Sequence, residues 1–290
     1  MDSKNSRDNG HNPLAGVHLP SEEQYLYCIR CGQCLSACPI YRESLRETDG
    51  PRARVALTRK VAEGELDLTP MLVDNMYKCL ACEACNTICP VGIKPAELAL
   101  EMRQAIHQAR PQPWLKRPIF HGYFPRRGLQ AASMIPFRLY QRLGLQSAAR
   151  GLGVLKLLPA QLQDMERMLP RLPRRALGGV LPEVTPAAGP VQHRVAFFLG
   201  CFQSLIFAGG SAATVRVLAR NGCEVHTPQD TKCCGMPAAG YGDVELVRDL
   251  ARHNIDLFER YPADVILTDC ATCGSTLKKY GALLAGDPAL

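Results

Sequence analysis

The distribution of apolar and polar residues divides the chain into three regions. Between residues 21 and 110 the pattern is helical, in segments that each open on a proline. Pro51 stands where a first helical residue would, and "PRARVALTRKVAEG" runs to a stop at Gly64. Thr69 and Pro70 have the residue types of an N-cap and first position for "PMLVDNMYKCL". Pro95 opens "PAELALEMRQAIHQA", which halts before Pro111. From 111 to 190 prolines recur every few to twenty or so residues, so helices must be short. "FRLYQRLGLQSAARGLGVLKLL" still carries an amphipathic pattern, and the region reads as a helical connector. From 191 onward strand and helix patterns alternate. "RVAFFL", "EVHTP" and "DVILTD" are strands, and "SAATVRVLARNG" and "DVELVRDLARHNIDLFERY" are helices. Such alternation predicts a parallel sheet with helices packed on it.

One uncharged run, "VAFFLGCFQSLIFAGGSAATV" between Arg194 and Arg216, has the length of a membrane span. Gly200-Cys201 and Gly209-Gly210-Ser211 divide it, and a strand, a turn and a buried helix account for it better. Residues 1–20 are polar and read as a loose tail with no secretory signal. The net charge is +7, but it is concentrated. Arg103 to Arg175 holds 14 Lys or Arg and two acids, Asp164 and Glu166, which leaves the rest of the chain acidic. Solvated helix faces are the plain explanation. An anionic membrane surface or an acidic partner is the sharper one. Nucleic acid fits poorly, because no recognition motif accompanies the charge.

Cysteine changes the picture most. There are 14, and without an export signal they point to metal rather than disulfides. "CIRCGQCLSACPI" from Cys28 and "CLACEACNTICPV" from Cys79 both read C-x2-C-x2-C-x3-C-P. Three thiols at every third position can reach three irons of one cube, while the fourth is held back for the other cluster. The spacing therefore predicts one [4Fe-4S] cluster on Cys28, Cys31, Cys34 and Cys89, and a second on Cys79, Cys82, Cys85 and Cys38. Structural zinc, bound by separated ligand pairs, explains a doubled triplet badly. Arg30, Arg52, Arg54, Lys78 and Lys94 are candidate compensating cations, although residues of these types are mostly plain surface charges.

A third set, Cys201, Cys233, Cys234, Cys270 and Cys273, is spaced C-x31-C-C-x35-C-x2-C, with Gly235 after the pair. Each part follows a predicted strand, so the five thiols converge at the carboxyl ends of the sheet. Cys223 stands apart and reads as a buried small side chain. His107, His121, His226 and His253 show no ligand spacing, and Trp114 reads as core. No GxGxxG or Walker pattern appears.

The twin runs, 40 residues apart from Cys38 to Cys79, resemble the α-helical dicluster ferredoxin modules of redox-enzyme subunits. The third set resembles the cysteine-rich CCG domain of heterodisulfide reductase, anaerobic glycerol-3-phosphate dehydrogenase, lactate-utilisation and glycolate oxidase iron–sulfur proteins. "NGCEV", "CCGMPAAGYGD" and "CGSTLKKYGALLAGDP" are most similar to glycolate oxidase iron–sulfur subunits. The resemblance implies an α plus α/β protein: tail 1–20, helical ferredoxin domain 21–110, basic connector 111–190, and a Rossmann-like α/β CCG domain 191–290. It also implies a second cysteine-rich module, which the 290 residues do not contain. By resemblance the CCG thiols carry a third, noncubane [4Fe-4S] cluster; zinc or partly unligated thiols are the alternative. The implied role is a cytoplasmic electron-transfer subunit, peripheral at the inner membrane face. Electrons come from a partner FAD-containing 2-hydroxy-acid oxidase subunit and go toward quinone, with no flavin on this chain. The alternative is a heterodisulfide reductase-like subunit with catalysis at the noncubane cluster.

Overall fold

The computed structural model describes residues 14, 16–110, 113, 114, 116–174, 176 and 180–285. Most of the 1–20 tail, the connector's Arg175 and the C-terminal residues 286–290 lie outside the described residues. The chain forms two compact units, residues 1–113 with 237–244, and residues 114–236 with 245–290.

The first unit is helical: α1 (Gln33–Ser36), α2 (Pro39–Ser44), α3 (Pro51–Ala62), α4 (Pro70–Lys78), α5 (Ala84–Thr87) and α6 (Pro95–Ala109). Proline opens four of these, where its fixed φ suits the first turn and its missing N–H would have had no partner. Thr69 caps α4 by accepting from the Leu72 N–H at 3.2 Å. Helices α3 and α4 pack on α6 around Val61, Leu72, Met76, Ala99, Met102 and Ile106. A smaller cluster of Tyr25, Val55, Ile93 and Leu98 lies under the first cysteine run, with Cys28 and Cys89 packed on it. The returning segment 237–244 completes this unit. The Tyr77 hydroxyl donates to the Tyr241 carbonyl at 2.9 Å, and Arg103 Nη1 donates to the Gly240 carbonyl at 3.0 Å. Gly242 has φ +94°, and a Cβ there would stand 2.3 Å from the Arg103 carbonyl oxygen.

The second unit begins with connector helices α7 (Arg127–Ser133), α8 (Ile135–Arg142), α9 (Leu145–Gly151) and α10 (Ala160–Arg167). The amphipathic stretch predicted here is broken at Gly144 and Gly153, both at φ +71°. Trp114 is a correction: it is 83% exposed, not core. Then come β1 (Val184–Thr185), β2 (His193–Phe197), α11 (Cys201–Leu205), α12 (Ala208–Arg220) and β3 (Cys223–His226). Helix α13 (Met236–Tyr241) lies almost wholly in the segment 237–244 of the first unit, and the second unit continues with α14 (Val244–Phe258), β4 (Val265–Leu267), α15 (Ala271–Lys278) and α16 (Tyr280–Leu283). The sheet order is β1-β3-β2-β4. Strands β2, β3 and β4 are parallel, with Val195 opposite both Val225 and Val265. The expected all-parallel sheet gains one antiparallel edge, because β1 pairs Val184 with His226 and Thr185 with Val225. The uncharged run resolves into β2, α11 and α12, with Val195, Phe197, Leu199 and Val215 in one core cluster. No helix among the described residues is long and apolar enough to cross a membrane.

Candidate metal centres

In each ferredoxin-like run the loop is shaped by two left-handed residues at matching positions. Arg30 (φ +56°) and Gly32 (φ +79°) lie two and four residues after Cys28. Ala81 (φ +51°) and Glu83 (φ +61°) lie two and four after Cys79. A side-chain-bearing residue in this region costs about 1–2 kcal/mol, so three such residues in two short loops mark a conformation imposed by the site. Left-handed residues in such loops turn backbone N–H groups toward a common concavity that favours anions. Backbone N–H groups reach sulfur once in the second loop and once in the first turn of α2. The Ala81 N–H donates to Cys79 Sγ at 3.4 Å, and the Tyr41 N–H to Cys38 Sγ at 3.5 Å.

The thiols line two separate small cavities. Cys28, Cys31, Cys34 and Cys89 line the first, with Arg52. Cys38, Cys79, Cys82 and Cys85 line the second, with Arg54. Each cavity thus takes three thiols from one run and the fourth from the other. Burial, with neighbouring Cys28 next in weight, pushes the Cys34 thiol up. Burial pushes Cys85 up to about 12, helped by Cys79 and Cys82. Four thiolates gathered so closely need positive charge among them, which irons supply when bound.

The candidate cations separate into different jobs. Arg54 is a correction to the expected surface charge: it is 2% exposed and lines the second cavity. It donates to the carbonyls of Asn75 at 3.2 Å and Asp49 at 2.6 Å. Arg52 holds the left-handed Arg30 peptide through its carbonyl at 2.7 Å and pairs with Glu47. Lys78 pairs with Asp49 and Asp74, and Lys94 with Glu97. Arg103 was not expected here. It is buried in α6, stacks 5.2 Å over the Tyr77 ring, and donates to the carbonyls of Met76 and Cys79. It therefore fixes the entry to the second run.

The third set converges in the second unit. Cys201 opens α11 after Gly200, Cys233 and Cys234 form a buried turn, Cys270 caps α15 and Cys273 lies within it. The five thiols act on one another in one series, 201, 233, 234, 273, 270. Along it Cys201 and Cys234 are drawn down by bonds from neighbouring thiols, and Cys233 and Cys273 are pushed up by bonds to those thiolates. The turn is held at its carbonyls: Asn254 Nδ2 donates to Cys233 at 3.2 Å, and the Tyr280 hydroxyl to Cys234 at 2.9 Å. The Gly235 N–H donates to Cys233 Sγ at 3.5 Å. A Cβ on Gly200 would lie 3.3 Å from Cys273 Sγ, so this end of β2 must approach the sulfurs closely. Arg127 of α7 donates through Nη2 to the Leu199 carbonyl and lines a cavity beside Cys201. Its Nε is buried with no acceptor among the described residues. Five thiols drawn together, the Gly235 N–H···S bond and this buried cationic donor fit a negatively charged metal–sulfur group.

Among the described residues, no three His, Cys, Asp or Glu side chains close on a single ion. Cys223 is buried in the sheet core, and His226 pairs with Glu224 at 2.9 Å.

These centres define an iron–sulfur protein with a dicluster ferredoxin domain and a cysteine-rich domain. Residues 24–93 match the 4Fe-4S dicluster domain, 111–169 the linker region of the glycolate oxidase iron–sulfur subunit, and 195–278 the cysteine-rich CCG domain. Over most of its length the chain is homologous to glycolate oxidase iron–sulfur subunits. It is 36% identical over 272 residues to the probable subunit of Bacillus subtilis, covering 92% of this chain and 61% of that protein. It is 30% identical over 269 residues to the Escherichia coli subunit, covering 90% and 59%. Lactate utilization protein A of a Geobacillus species is 35% identical over 94 residues, covering 32% and 39%. The chain thus spans about three-fifths of the two glycolate oxidase relatives. No solved structure matches it.

Proposed function

We propose that the chain is the iron–sulfur electron-transfer component of a glycolate- or lactate-type 2-hydroxy-acid oxidoreductase. The observation that carries this reading is the pair of four-thiol cavities, each built from both runs. Cys28, Cys31, Cys34 and Cys89 would hold one [4Fe-4S] cluster, and Cys79, Cys82, Cys85 and Cys38 the other. Cys201, Cys233, Cys234, Cys270 and Cys273 would hold a third, noncubane cluster. Bound iron–sulfur clusters supply one-electron steps. The chain's own residues set the surroundings: Arg52 and Arg103 fix the loop carbonyls, Arg54 places a buried charge, and Asn254 and Tyr280 hold the cysteine turn.

A two-electron donor, a flavin on a partner subunit, fits upstream, and a quinone downstream. The connector's basic residues fit a peripheral site on anionic lipid at the inner membrane face. Exposed Ile135, Leu139, Leu143, Leu152, Leu157 and Met168 among its arginines add an apolar contact. A second reading, disulfide reduction at the noncubane centre, is favoured by the fifth thiol there, one more than a four-ligand site needs.

The test adds glycolate or lactate to the anaerobically purified chain and follows cluster reduction by absorbance and EPR. The clusters should stay oxidised until a glycolate-oxidising flavoprotein is added. Reduction without the flavoprotein overturns the division of labour. No reduction with it overturns the 2-hydroxy-acid reading.

A further inference from the structure

Arg127 is a connector residue by sequence, yet it ends in the cysteine-rich site. Its Nη2 is committed to the Leu199 carbonyl, two residues before Cys201. Its Nε is shut off from solvent with no acceptor among the described residues, and an unanswered buried charged donor is strongly unfavourable. The site therefore calls for an anion. Two candidates exist: a free small anion in the cavity shared with Cys201, or the thiolate centre itself. A free anion would need further donors. The other side-chain amides on that cavity are spoken for, Gln130 by the carbonyls of Tyr123 and Phe124, and Gln229 by those of Leu181 and Thr227. Burial weighs most on Arg127, and the side chains that act on it after that are, in order, Cys201, Cys233, Cys273 and the exposed Asp230. Three of the four belong to the five-thiol set.

We infer that Arg127 is the fixed counter-charge of the five-thiol centre, so that the connector forms part of that redox site and raises its reduction potential. The inference rests on the reading that this centre holds an iron–sulfur cluster. The physical argument is short. Reduction adds an electron to a buried, already anionic group. A guanidinium cannot shed its proton, so its charge persists in both redox states and favours the reduced one. Low local dielectric enlarges the effect, and net charge with hydrogen bonding is a recognised lever on cluster potential.

The experiment compares full-length Arg127→Gln and Arg127→Lys with wild type, purified anaerobically, by iron content and EPR-monitored redox titration. The cubane signals serve as internal controls. Arg127→Gln should lower the reduced-to-oxidised ratio of the third centre at least tenfold at fixed potential, 59 mV for a one-electron couple. Arg127→Lys should recover most of that shift, and the cubane titrations should not move. Wild-type iron with an unchanged third titration in Arg127→Gln overturns the inference, as does an equal shift in all centres. If Arg127→Gln loses the third centre's iron, retention in Arg127→Lys supports the charge role, and loss in both overturns it in favour of packing. Wild-type protein with iron in the cubanes alone overturns the cluster reading and this inference together.

Discussion

Gly235→Ala is the sharpest test of how the cysteine-rich turn is built. Gly235 has φ +94°, where a side chain costs about 1–2 kcal/mol. The added Cβ would also stand 2.9 Å from Val247 Cγ1, inside any normal contact. Val247 lies in α14, is 3% exposed, and as a β-branched helical residue has one strongly preferred rotamer, so it cannot swing away. Overpacking of this kind typically costs 1–3 kcal/mol. Together the two effects give a loss of about 2–5 kcal/mol, or about 4–20 °C in Tm for a unit of roughly 170 residues. Urea denaturation of the metal-free protein, followed by circular dichroism, measures it. Val247→Ala removes the clashing methyl, leaving contacts at an ordinary 3.5 Å. The double variant should therefore be more stable than the sum of the singles by about 1 kcal/mol or more. A loss below about 1 kcal/mol in Gly235→Ala, or additivity within about 0.5 kcal/mol, would refute the reasoning. With metal present, the same substitution should lower iron at the third centre, because Cys233 and Cys234 move with the turn.

Three further outcomes are expected. Cys38→Ala should lose about four irons and give an EPR spectrum like that of Cys82→Ala, while Cys89→Ala should match Cys31→Ala; spectra paired within each run would end the shared-cavity assignment. The chain should sediment with anionic but not neutral vesicles, and release as salt rises from 0.1 M to 1 M and the Debye length falls from about 10 Å to about 3 Å. Salt-insensitive binding, or none, counts against the lipid surface. Thr69→Ala should destabilise the protein by about 1 kcal/mol in urea titration through loss of the α4 cap, and Thr69→Ser should be close to neutral; equal losses in both would show that the hydroxyl is not the cause.

Elements with a local punctuation mark were legible in the sequence. Pro51, Pro70 and Pro95 open helices where expected, and the three parallel strands overlap the predicted "RVAFFL", "EVHTP" and "DVILTD", with β2 and β3 each starting one residue earlier. Strand β1 was not legible, since two residues between Pro182 and Pro186 carry no period. The grouping of thiols was readable from spacing, but their cationic surroundings were not. A signal did exist. Arg54 sits with Pro51, Val55 and Thr58 on the buried stripe of α3, and Arg103 beside Ala99, Met102 and Ile106 on that of α6. A charge on an apolar stripe must find partners, and both arginines find carbonyls next to the second cavity. Arg127 gave no such signal, because its partners lie over 70 residues away and depend on how the chain folds back. The left-handed Arg30, Ala81 and Glu83 were equally hidden, as none is a glycine.

The first unit's discontinuity bears on how the protein is made. Its amino-terminal portion ends at Pro113, but Arg103 and Tyr77 wait for carbonyls at Gly240 and Tyr241. A ribosome adding about 5–20 residues per second needs a further ~6–25 s to reach that segment. During that interval the nascent ferredoxin portion exposes an unfilled contact face, while both of its cysteine runs are already synthesised. Iron–sulfur loading and closure of this unit are therefore separable in time during synthesis.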